Sequence, residues 1–191
     1  IDKTKDLESV KVVYQGCNKI FQSSISVNKR KETLNKYQIP ENYLLYVGSI
    51  EKRKNLLTIL KALVELPNQK LVVIGKGKSY KTTCLKFIAK KNLSNRITFL
   101  ENISLEEMAS IYQSAQIMIY PSLFEGFGIP ILESLFSKTP VITSKGGCFT
   151  EAGGPDSKYI NPLSFNEMKN AIIEIQESTK LRKAMVEKGF K

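Results

Sequence analysis

Glu125 and Glu133 bracket seven residues of the stretch SLFEGFGIPILESL, and those seven are two glycines, a proline and four large apolar side chains. An ionised carboxylate can accept paired hydrogen bonds from neighbouring hydroxyls. Upstream, IMIY (Ile117–Tyr120) is a short apolar run of strand type closed by Pro121-Ser122. Downstream, IPILESLF carries apolar residues at helical spacing. The stretch therefore reads as strand, glycine-bearing turn and helix, with Glu125 in the turn and Glu133 about two turns inside the helix. A helix start offers unpaired N–H groups and a partial positive charge, which suit a phosphate. An anion at the helix mouth with a carboxylate on each side matches a ligand that has sugar rings flanking a diphosphate.

The elements that must hold this geometry alternate from Tyr43 onward. LLYV (44–47), KLVVIG (70–75), RITFL (96–100), IMIY and PVITS (140–144) read as buried-type strands, with a short strand at KYIN. Helices are expected at LLTILKALVEL, near 79–91, from Ser104 with Glu107 as a capping box, after Glu125, and at 164–177 and 179–188. GGCFTEAGG is read as a connection. Such a pattern implies an α/β, Rossmann-like parallel sheet of about five to six strands with helices on both faces. Ligands bind such sheets beyond the carboxyl ends of the strands. That rim would carry Lys54, Lys76, Glu101, Glu125 and Gly146-Gly147.

The expected division is a lead-in segment at 1–40, with a strand and turn at VKVVYQGCN (10–18) and a partial helix at about 29–37, followed by one domain at 41–191. The chain has 191 residues, enough for one good-sized core, and no apolar run of membrane-spanning length. Three well-separated cysteines, Cys17, Cys84 and Cys148, favour a reducing, cytoplasmic setting over a disulfide framework. Histidine is absent and aspartate occurs only at positions 2, 6 and 156. These absences remove a Ser-His-Asp triad, His-ligated metals and a DxD metal-diphosphate motif, so no metal site or cofactor is expected. The net charge of +11 suits a phosphorylated ligand or peripheral contact with the inner face of a membrane. Aromatic residues are not interleaved with the basic ones, which argues against nucleic acid.

Taken in order, YVGSIEKRKNL, KLVVIGKG, EGFGIPILE and TPVITSKGG resemble the nucleotide-sugar-binding half of glycosyltransferase family 4. The resemblance runs over roughly 10–188. It implies the C-terminal half of a GT-B fold, an acceptor-binding N-terminal domain outside this chain, and sugar transfer with retention from a nucleoside-diphosphate sugar to a glycan or lipid-linked acceptor. It further implies that Glu125 contacts donor-sugar hydroxyls and that Glu133 binds the ribose. Backbone N–H groups of Phe127, Gly128 and Ile129 would meet the diphosphate, Gly126 would belong to the same donor-binding loop, and Pro130 would preset the first helical turn. Ile103 would lie near the nucleobase, and Gly48, Ser49 and Gly75 would line the nucleotide.

The family stabilises the departing diphosphate with an Arg-x4-Lys pair after the first strand. Lys54 matches the lysine, but the arginine position holds Ser49. Arg53 is the available substitute and completes the catalytic set of Glu125, Lys54 and Arg53. Adjacent side chains on an extended loop point apart, so Lys54 is the better expected phosphate contact. Two readings stand beside the transferase: a nucleotide-binding module without transfer activity, and a basic module for lipid or nucleic acid. The isolated fragment is expected to transfer little, since half the cleft would be missing.

Overall fold

A computed structural model describes residues 16–189. Six strands, β1 (Tyr43–Val47), β2 (Lys70–Ile74), β3 (Ile97–Leu100), β4 (Ile117–Tyr120), β5 (Val141–Ser144) and β6 (Lys158–Ile160), form one sheet. Every pairing is parallel, and the strand order is β3-β2-β1-β4-β5-β6. Five of these strands fall where their apolar runs predict, and the sixth is the short strand at KYIN.

The central strand explains the architecture. All five residues of β1 are buried, which is what a strand covered on both faces requires. Leu44 and Tyr46 pack with α2 (Leu56–Val64), α3 (Ser79–Lys90), α7 (Phe165–Glu177) and α8 (Thr179–Gly189). Tyr43, Leu45 and Val47 pack on the other side with α4 (Leu105–Ser114), α5 (Ile129–Phe136) and α6 (Cys148–Gly153). Among the described residues no helix is long and apolar enough to cross a membrane.

Part of the N-terminal segment is built into this second layer. The strand expected at 10–18 lies largely outside the described residues. A 3-10 turn at Lys19–Phe21 buries Phe21 completely, and the expected partial helix is α1 (Val27–Lys36). Gln113 of α4 stitches the segment down. It accepts from Ile25 N at 3.1 Å and donates to the Ser23 carbonyl at 2.8 Å, while Arg30 donates to the Gln113 carbonyl at 3.1 Å.

GGCFTEAGG departs from its reading as a connection, because it contains α6. Six residues are too few to display a helical period, and Gly147 and Gly154 (φ 57° and 61°) break the chain at both ends.

At α4 the capping box forms as its spacing predicts. Ser104 Oγ accepts from Glu107 N, and Glu107 Oε2 accepts from Ser104 N at 3.2 Å. The hydrogen bond from Lys36 at 2.5 Å, with Ser104 adding to it, holds the Glu107 carboxyl down to about 2. A depressed carboxylate stabilises the fold fully above its unfolded value and loses that stabilisation as pH falls through its folded value. We expect Glu107→Gln to cost about 0.5–1 kcal/mol at neutral pH. The difference from wild type should shrink between about pH 4.5 and 2, as read by urea melts across that range.

Candidate functional site

The strand order reverses between β1 and β4, and the helices that follow those two strands cover opposite faces. This switch point opens a crevice at the carboxyl ends of the strands. The loop after β1 carries Arg53 and Lys54, and the loop after β4 carries Glu125.

These three side chains meet. Lys54 Nζ lies 2.6 Å from Glu125 Oε1, and Arg53 Nη1 donates to the same oxygen at 3.0 Å. The expectation that Arg53 and Lys54 diverge is overturned. Lys52–Lys54 form a 3-10 turn, so successive side chains are about 120° apart around the axis and do not alternate. Arg53 also donates to Glu51 at 3.2 Å and to the Phe124 carbonyl at 3.3 Å, while Leu123 N donates to the Arg53 carbonyl at 2.7 Å. The two loops are thus tied by backbone and side chain together.

Burial works to raise the Glu125 carboxyl, but the hydrogen bond from Lys54 and the charges of Lys54 and Arg53 outweigh it and hold the group below its ordinary value. Glu125 is therefore a carboxylate at neutral pH. Cys148 donates to its backbone carbonyl at 3.3 Å; burial and then the Glu125 charge push that thiol up, which favours its neutral form.

Glu133 is held differently. Helix α5 begins at Ile129, so Glu133 sits one turn inside it and not two. Its Oε2 accepts from the Tyr112 hydroxyl at 2.9 Å, and Tyr112 is completely buried, edge-on to Phe21. Among the described residues Glu133 has no ion pair. Burial raises its carboxyl above the ordinary 4.5, and the Tyr112 hydrogen bond only partly offsets this. The two glutamates thus differ in kind: one is neutralised by cations and the other is half-buried beside a phenol.

Between them lies the start of α5. Gly128 is its N-cap at φ 100°, with no side-chain cap, and Pro130 occupies the first turn. Gly126 is exposed and Phe127 and Ile129 are half-buried at the same mouth. Gly48 and Gly75 each have a structural reason of their own. A Cβ on Gly75 would stand 2.0 Å from the Gly48 carbonyl oxygen, so Gly75 lets the loops after β1 and β2 touch, while Gly48 is set by its backbone at φ 147°, with only Lys54 side-chain atoms near a Cβ there at 3.8 Å. Ile103 packs with the layer that holds Tyr112 and Ile131.

Of the other rim residues, Gly147 caps the start of α6, and Lys76 and Glu101 gather elsewhere. Ser49, Lys76 and Glu101 line a cavity of about 710 Å³ together with Lys52, Lys78 and Tyr80. This cavity does not include Glu125, Lys54 or Glu133. The arrangement that joins cations, a carboxylate and a helix mouth is the one at the switch point.

Three residues that hold the site escape sequence reasoning. Asn55, left-handed at φ 60°, donates to the carbonyls of Pro121 (3.2 Å) and Pro162 (2.6 Å), tying together the loops after β1, β4 and β6. Tyr112 and Tyr120 supply hydroxyls to Glu133 and Lys54. Asn55 has a faint signal, since asparagine tolerates the left-handed region. The tyrosines read only as strand and helix core.

Comparison with known proteins places the family and the fold. Residues 29–191 match the family model described as Glycosyl transferases group 1. The O-antigen chain mannosyltransferase RfbU of Salmonella typhimurium is 30% identical over 173 residues, covering 90% of this chain and 46% of that protein. This chain spans about half the length of the curated relatives it matches. Anabaena Alr3699/HepE, solved in complex with UDP and glucose, superposes with a TM-score of 0.87 at 19% identity, over 98% of this chain and 52% of that one. The C-terminal domain of the group 1 family protein LpcC from Francisella tularensis superposes with a TM-score of 0.77 at 24% identity, over 92% of this chain and 95% of that one. By its family match and by its fold, that of a GT-B C-terminal domain, this chain belongs to the group 1 glycosyl transferases.

Proposed function

We propose that this domain binds the nucleoside-diphosphate sugar of a retaining glycosyltransferase that elongates a surface glycan or a lipid-linked one. The observation that carries the reading is the convergence of Lys54 and Arg53 on Glu125 at the switch point. Charge develops on the diphosphate as the glycosidic bond breaks, and cations gathered at the switch point stabilise it. Arg53 supplies the second cation that Ser49 cannot. Glu125 accepts hydrogen bonds from the donor sugar, the first turn of α5 meets the diphosphate, and Glu133 accepts from the ribose hydroxyls.

The acceptor hydroxyl attacks on the face the nucleotide leaves, and the departing phosphate oxygen takes its proton, so no side-chain base is needed. The relatives named as mannosyltransferases make a mannosyl donor the first to test. The acceptor would be held by the other half of such an enzyme. Alone, these residues bind donor and transfer little.

The nucleotide-binding module without transfer activity stays in view because Ser49 replaces an arginine. The pairing of Arg53 with Glu125 weighs against it. Amide chemical shifts test the site directly. Adding a nucleoside diphosphate should move Phe127, Gly128 and Ile129 most. Shifts confined to the loops after β2 and β3 would reject the proposal.

A further inference from the structure

Tyr120 ends β4 at the switch point and is 1% exposed, its ring edge-on to Phe149 at 6.4 Å. Lys54 Nζ donates to its hydroxyl at 2.6 Å and lies 4.8 Å from the ring centroid. The same nitrogen reaches Glu125 at 2.6 Å, and Lys54 is only 8% exposed. An ammonium has three N–H bonds. Two are taken by Glu125 and Tyr120, and among the described residues the third has no protein acceptor.

We propose that Tyr120 is a positioning residue for Lys54: its hydroxyl, fixed by a core strand, sets the ammonium so that the third N–H serves the outer phosphate of a bound diphosphate. The inference rests on the donor-site reading above. Burial, with Glu125 adding to it, keeps the phenol pKa well above its ordinary value, so the hydroxyl remains a neutral acceptor. Glu125 alone would not fix the nitrogen, because its loop carries it and Arg53 competes for the same oxygen. The tyrosine supplies the second anchor from the sheet.

The test is calorimetry with UDP, GDP and ADP and with the corresponding monophosphates. It compares wild type, Tyr120→Phe, Lys54→Gln and the double variant. Phenylalanine keeps the ring and its packing and removes only the hydroxyl. Loss of one hydrogen bond to a charged group corresponds to about tenfold weaker binding of the diphosphate. Monophosphate binding should change less than about twofold, since the outer phosphate is missing from that ligand. In the Lys54→Gln background Tyr120→Phe should have no further effect, because its role runs through Lys54.

Equal losses for mono- and diphosphates, as misfolding would also give, would overturn the positioning role. So would full additivity with Lys54→Gln. Either result leaves the donor site standing if wild type binds a diphosphate. A wild type that binds none of the three overturns the donor-site reading and this inference with it.

Discussion

Lys54→Gln should lower the affinity of the domain for a nucleoside diphosphate about 100-fold, whereas Glu125→Gln should raise it by up to about tenfold. Both effects follow from one pair of contacts. In the free protein Lys54 and Arg53 are bound to Glu125, so a phosphate must compete with that carboxylate for them. Removing Lys54 deletes a charge-assisted contact of about 1.5–3 kcal/mol and leaves Glu125 less neutralised beside the incoming anion. Removing the charge of Glu125 deletes the competitor, while Tyr120 still holds the lysine. The sugar conjugate separates the roles. Glu125→Gln should abolish any advantage of the sugar conjugate over the bare diphosphate, because the acceptor for sugar hydroxyls is weakened.

Stability should change by more than it would for a surface pair. The side chains of Lys54 and Glu125 are 9% and 10% exposed, so breaking the pair strands a largely buried carboxylate. Arg53 remains as a partner, and a loss on the order of 2 kcal/mol in urea melts of Lys54→Gln is expected. Calorimetry with UDP, GDP and ADP and their sugar conjugates on the two variants checks the binding half. Equal weakening by both substitutions would show that Glu125 does not compete with phosphate.

The second large effect belongs to Glu133. Glu133→Ala should weaken nucleoside mono- and diphosphates alike by about 30-fold or more, because on the donor-site proposal it removes the carboxylate that would accept from both ribose hydroxyls. Its titration adds a pH signature. Burial raises this carboxyl above 4.5, while the cations beside Glu125 lower that one. Ribose binding needs the ionised form, so wild-type affinity should fall as pH drops through the raised value of Glu133, with Glu125 still charged. Glu133→Gln should bind weakly and lack that acid limb. For folding the sign reverses. A carboxyl raised in the folded state favours folding below its unfolded value, and that contribution disappears as pH rises through the folded value. Glu133→Gln should therefore be neutral or stabilising near pH 7, and thermal melts across pH would show it.

Much of the frame was legible because parallel strands buried on both faces leave plain apolar runs, and four of the six strands are of that kind; β3, at the sheet edge and half-buried over three of its four residues, still reads as a run of strand-forming residues. The order of those runs also placed Glu125 and Lys54 on one rim. Helix α6 was not legible, since six residues between left-handed glycines carry no period. Nor was the approach of Arg53 to Glu125: it depends on a 3-10 turn in a stretch of lysines and arginine that has no apolar pattern at all. The partners of the charged groups were hidden for a different reason. Tyr120 meets Lys54 across 66 residues and Tyr112 meets Glu133 across 21, and a hydroxyl at the tip of a core side chain leaves no periodic trace. Phe21, in a segment read as lead-in, buttresses Tyr112 and so belongs to the support of the site.

The central claim is that the crevice between β1 and β4 holds a nucleoside diphosphate between two glutamates. Calorimetric titration of this domain with UDP, GDP and ADP, in wild type and in Glu133→Ala, tests it most directly. Selective binding of one nucleotide by wild type, weakened about 30-fold or more by the substitution, is the predicted result. Binding of a nucleotide with the same affinity by both proteins would contradict the account, because it would place the ligand away from α5.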